Sequence, residues 1–131
     1  MKSLLLSPDS VGYSSVQWYD SKNLIGVKYA IRRISLLQRI ELTRAVQELM
    51  HNHEFLRAGT QSDQVEANLA ELLVRKLYID WGLAALEGLT IDGQEATPGS
   101  LVELGPEGLA EEIAATIRAQ LELSEEERKN F

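Results

Sequence analysis

The chain has 131 residues, no cysteine, and a formal net charge of −7 from 20 acidic and 13 basic side chains. That length suits one domain with its own core, and the missing cysteine excludes disulfides, thiolate nucleophiles and zinc–thiolate sites. With 44% apolar and 25% charged residues the composition is that of a folded soluble domain, and its acidity disfavours nucleic-acid partners.

At the N-terminus, Leu4-Leu5-Leu6 is too short for a signal-peptide core and runs at once into Ser7-Pro8-Asp9. No apolar run approaches the roughly 18 residues that span a bilayer. The expectation is a protein that stays where it is made, with no membrane partner.

Next comes a β-like stretch. Val16-Gln17-Trp18-Tyr19 is aromatic and β-branched, and Asp20-Ser21-Lys22-Asn23 is turn chemistry. From Leu24 to Ile34, Ile25, Val27, Tyr29, Ile31 and Arg33 alternate with Gly26, Lys28, Ala30 and Arg32, the period of a strand with one buried face. The two runs pair as a hairpin. A lone hairpin is marginal in water, so it must pack on helices or on another copy.

Ser35 caps a helix that runs from Leu36 to about Leu56, with an apolar stripe at Leu42, Ala45, Val46, Leu49 and Met50. Glu41, Arg44 and Glu48 lie on another, wet face, and Gly59 is the stop. A second helix starts near Ser62-Asp63, where Asp63 and Glu66 have capping-box spacing. Its stripe is Val65, Leu69, Leu72, Leu73, Leu77, Trp81 and Ala84, continuing toward Gly88, with fraying near Trp81 because Gly82 lies inside it. The two helices read as an antiparallel hairpin.

Around Asp92-Gly93 the chain forms either a tiny hairpin or an exposed turn. Thr97 caps and Pro98 opens a short helix, and Gly105-Pro106 punctuates it. Leu109, Ile113, Ala114, Ile117 and Leu121 make another amphipathic helix, and Ser124 with Glu127 is spaced as a last capping box. The fold class is therefore mainly α with a small N-terminal β element: an αα-hairpin plus C-terminal helices. The single domain 1–131 divides into a β-like segment 1–34, a helical hairpin 35–87 and a C-terminal helical region 97–131.

Catalytic chemistry finds little to stand on. His51 and His53 are two apart, so on a helix they point about 200° from each other and cannot clamp one ion. No nucleophile motif is recognisable, and Gly82, Gly88 and Gly93 are too widely spaced to cradle phosphate. Asp80, Glu87 and Asp92 are the one conceivable carboxylate group, in positions where acids at helix ends and turns are ordinary. Lys28, Arg32, Arg33, Arg39 and Arg44 are read as strand-flanking and solvated cations rather than a binding face. No catalytic, cofactor or metal residue is assigned, and the expectation is no enzyme. Trp81, in phase with Leu77, is read as core. The partner-binding candidates are Trp18 in the N-terminal third and Met50, Leu72 and Leu73 on the helical stripes.

The last third resembles a known family. Trp81-Gly82-Leu83, the Gly88-Leu89-Thr90-Ile91-Asp92-Gly93 turn, the Thr97-Pro98 helix start and the charged tail closing in Lys129-Asn130 resemble, in order and spacing, the C-terminal part of tail assembly chaperones of long-tailed phages and prophages. With the helix from Leu36 to Met50 the resemblance covers about half the chain; 1–23 match nothing in it. It implies a non-catalytic protein that binds the long, hydrophobic, helical tape measure protein and keeps it soluble until tail-tube subunits polymerise around it. It also implies a homo-oligomer, a longer frameshifted form that recruits the tail-tube protein, and residence in the bacterial host cytoplasm rather than the mature virion. A structural phage component, either a head–tail connector or a tail-completion protein, and an acidic regulatory binding protein are the alternatives.

Overall fold

The computed structural model describes residues 10–54 and 61–129, with side chains over 10–52 and 64–122. Strand β1 (Val16–Asp20) pairs antiparallel with β2 (Lys28–Arg32), Trp18 opposite Ala30 and Tyr19 opposite Tyr29. The expected hairpin is present. Its connection is closed by Ser21 N–H to Val27 C=O at 2.8 Å and Val27 N–H to Leu24 C=O at 3.1 Å. Val27, Tyr29 and Ile31 are buried, as period 2 requires, but Ala30 between them is buried too, so the strand's other face is covered at that point and not open as the alternation alone implies. Ile25, in the same alternation, is fully exposed, because Gly26 at φ +91° turns the chain between it and the strand.

The hairpin's partner comes from a place that reads as helix. The expected helical hairpin 35–87 is correct only as far as Gly82. There α2 (Gln61–Gly82) stops, and β3 (Leu83–Glu87) adds antiparallel to β2, giving the order β1-β2-β3. Ala85 faces Ala30, Leu86 faces Tyr29, and the register shifts between Ala30 and Ile31. Leu-Ala-Ala-Leu favours helix by propensity. The free edge of β2 and the burial of both Leu83 and Leu86 outweigh that preference. The β element thus has a partner within its own chain. Its outer edge at β1 is partly blunted, since the Ser14 hydroxyl donates to the Val16 carbonyl at 2.9 Å.

After β3, Gly88 at φ +82° sits where an added Cβ would strike the Gly26 carbonyl oxygen. Strands β4 (Thr90–Ile91) and β5 (Gln94–Glu95) then form the tiny hairpin, with Asp92 at φ +52° and Gly93 at φ +80°, the double positive φ that an Asp-Gly turn supplies. Helix α3 (Pro98–Leu104) starts at the expected cap: Thr97 Oγ1 accepts from Ser100 N–H at 3.1 Å, and Thr97 N–H donates to Ser100 Oγ at 2.9 Å. Helix α4 (Glu107–Lys129) runs unbroken through Ser124, so no new helix begins at the Ser124–Glu127 pair; without Gly or Pro from Leu109 onward, nothing interrupts it.

Helix α1 (Leu36–Glu54) is capped reciprocally by Ser35 and Gln38, each backbone N–H meeting the other's side-chain oxygen at 3.2 Å. α1 packs on α2 as expected, but the phase assigned to α2 needs correcting. Val65, Leu69 and Leu72 are exposed, Leu73, Leu77 and Trp81 are half-buried, and the buried positions among the described residues are Ala70, Ile79 and Gly82. α2 carries apolar residues around most of its circumference, so leucine content alone misplaces its inner face. Gly59 lies outside the described residues, as do the side chains of His53, Asp63 and Ser124.

The core lies beneath the inner face of the sheet. Tyr29 and Ile31 of β2 and Leu83 and Leu86 of β3 pack with Ile79 of α2, Leu101 of α3 and Leu109, Ile113 and Ile117 of α4. Among the described residues α1 contributes only Leu42 to the buried set. It is a peripheral helix, and that opens the site described next.

Candidate partner-binding groove

α2 packs against α1 on one side and α4 on the other. α1 and α4 are linked by a hydrogen bond from Arg39 Nη1 to the Leu121 carbonyl at 3.2 Å. Between the three helices lies a cleft of about 730 Å³. α1 contributes Val46 and Met50, α2 contributes Val74 and Tyr78, and α4 contributes Ala114, Ala115 and Leu121. The alanines matter physically: side chains this short leave room over α4 for another chain to approach. Charged groups complete the lining. Arg75 pairs with Glu111 across α2 and α4 at 3.3 Å, and Arg118 pairs with Glu122 along α4 at 3.2 Å. Glu71 is the fifth charged group, with no ion pair among the described residues. Pairs this exposed hold little stability, roughly 1 kcal/mol or less each.

Of the four partner-binding candidates, only Met50 lines this groove. Leu72 is 47% exposed but on a part of α2 outside the lining, and Leu73 is half-buried. Trp18 is remote in the fold, 45% exposed on the outer face of the sheet opposite Ala30. Val74, Tyr78 and Ala115 carry no signal of a site in the sequence, and Ala114 reads only as part of the α4 stripe, because nothing local separates a groove alanine from a core alanine. Of the two alanines, Ala114 is buried at the groove floor and Ala115 is exposed.

The densest polar cluster lies elsewhere and fastens the β1–β2 connection to α4. Glu112 Oε1 accepts from Ser21 Oγ at 2.9 Å and Asn23 N–H at 3.3 Å, while Oε2 accepts from Lys22 N–H at 3.0 Å and Tyr29 OH at 3.1 Å. Burial pushes this carboxyl up. The bonds from Lys22, Ser21, Asn23 and Tyr29 together outweigh burial and hold it below the ordinary carboxylate range. Tyr29 is raised, chiefly by burial, with the Glu112 charge adding to it. With both oxygens occupied by donors, Glu112 holds the β1–β2 connection against α4.

The other groups considered above are dispersed. Asp80 takes Lys76 at 2.8 Å, Glu87 stands opposite Lys28 in the strand register, and Asp92 turns the β4–β5 hairpin. Arg33 lies 5.9 Å from the centroid of Tyr13, and Lys28, Arg32 and Arg44 are exposed. His51 is exposed on α1. Trp81 is half-buried rather than fully buried, beside Leu42 and Ile117 at the end of α2. Among the described residues no helix is long and apolar enough to cross a membrane. No protein-family model, curated protein or solved structure matches the chain.

Proposed function

We propose that this protein is a non-catalytic tail assembly chaperone of a long-tailed phage or prophage, and that it holds its client, the hydrophobic helical tape measure protein, in the α1–α2–α4 groove. The observation that carries the reading is the groove itself: an open cleft with an apolar lining and a charged margin, built on a helix that the core scarcely uses. An amphipathic helix seats one apolar stripe in such a cleft and keeps its polar face in water. Exposed Leu36, Leu37 and Ile40 on α1 and Val65, Leu69 and Leu72 on α2 add apolar surface on the same two helices. The net charge of −7 keeps a complex with an insoluble client dispersed. The resemblance of Trp81 to Asn130 supplies the identity of the client, and with it the expectation of a homo-oligomer in the host cytoplasm.

The test is co-expression with the long helical protein encoded beside this gene. Soluble yield of that protein should rise, and the two should co-purify. Ala115→Trp, which fills the groove from an exposed position, should abolish the rescue while this chain stays folded. Equal client solubility without this protein would contradict the reading, and its presence in intact virions would favour a structural component instead.

A further inference from the structure

The charges around the groove do not balance, and the imbalance specifies what fits. Arg75 is matched by Glu111 and Arg118 by Glu122, which leaves the Glu71 carboxylate, one turn before Arg75 on α2, unmatched among the described residues. We infer that the groove takes an amphipathic helix carrying a lysine or arginine on the flank that lies along α2, where it meets Glu71. The inference rests on the groove reading above. An acidic flank would be repelled by Glu71 and by the net charge of −7 together. A neutral flank would cover the carboxylate without giving it a partner. A cationic flank satisfies it, and the apolar stripe beside that flank faces Val74, Met50 and Ala115.

The probes are two helical peptides of about five turns, identical in their leucine stripe, with either lysine or glutamate on one flank. Binding is read by fluorescence anisotropy at ~150 mM salt, where exposed charges more than about 8 Å apart are largely screened. The lysine peptide should bind about two- to fivefold more tightly, the size of a partly exposed ion pair. Glu71→Lys should reverse that order. Glu48→Lys makes the same change in net charge from an exposed α1 position outside the lining, and should leave the order unchanged. Equal effects of the two substitutions would trace the preference to overall charge and overturn the inference, with the groove reading intact. Should neither peptide bind, or should Ala115→Trp weaken neither, the groove reading falls and takes the inference with it. A dimer in sedimentation that Ala115→Trp dissociates would assign the groove to a second copy, which also overturns the inference.

Discussion

Gly82 joins α2 to β3, and replacing it with alanine tests how closely α4 is seated. A Cβ there would lie 2.7 Å from Ile117 Cδ1, 2.9 Å from Cγ1 and 3.1 Å from Cγ2. Ile117 is fully buried, so a shift of its side chain presses on packed neighbours. Overpacking of this kind costs about 1–3 kcal/mol. Against it stands the intrinsic gain of alanine over glycine, up to about 1 kcal/mol in a helix interior and less at the last helical residue. The net expectation for Gly82→Ala is a loss of about 1–2 kcal/mol, a fall of roughly 4–8 °C in thermal midpoint for a chain this size. Ile117→Val removes Cδ1, the nearest atom. Alone it should cost about 0.5–1.5 kcal/mol; in the Gly82→Ala background it should cost less or restore stability. Urea unfolding of the four proteins closes the double-mutant cycle, with an expected coupling of about 1 kcal/mol. A stabilised Gly82→Ala, or strictly additive effects, would refute the packing described for this junction.

Glu112→Gln should remove about 2 kcal/mol at neutral pH, the scale of hydrogen bonds to a charged acceptor. The sign with pH follows from a folded carboxyl held below its ordinary value of 4.5: its stabilisation is present above that value and is lost as pH falls through the lower folded one. Wild type and variant should therefore converge in acid and diverge above about pH 5, as read by urea midpoints across pH; parallel curves would contradict the clamp. Iodide should quench Trp18 readily and Trp81 weakly, so Trp18→Phe should delete the accessible component of the emission. Trp81→Ala should cost about 2–3 kcal/mol in urea, below the 3–5 of a fully buried aromatic, and a larger loss would restore Trp81 to the core.

Elements whose signal is local were legible in the sequence. The β1–β2 alternation, the Ser35 and Thr97 caps, the Asp-Gly turn and the α4 stripe at Leu109, Ile113 and Ile117 each depend on neighbours within a few residues, and the structure has them all. β3 was not legible because its identity depends on β2, more than fifty residues away, while Leu83 to Leu86 taken alone read as helix. The phase of α2 is illegible for a related reason: its buried side chains among the described residues are those of Ala70 and Ile79, and the leucines that dominate its pattern face solvent or lie half-buried. Of the groove's lining, the sequence marks Met50 as a partner contact and Val46, Ala114 and Leu121 only as stripe residues of their helices. The other lining residues acquire meaning once α1 is seen to stand outside the core.

The central claim, that the client lies between α1, α2 and α4, is tested most directly by site-specific photocrosslinking in cells co-expressing the long helical protein encoded nearby. A photoreactive residue at position 115 in the groove is compared with one at position 18 on the outer sheet face, both exposed in the free protein. A client adduct from 115, and none from 18, is the expected result. Adducts from 18 alone, or from neither, would contradict the groove as the seat of function.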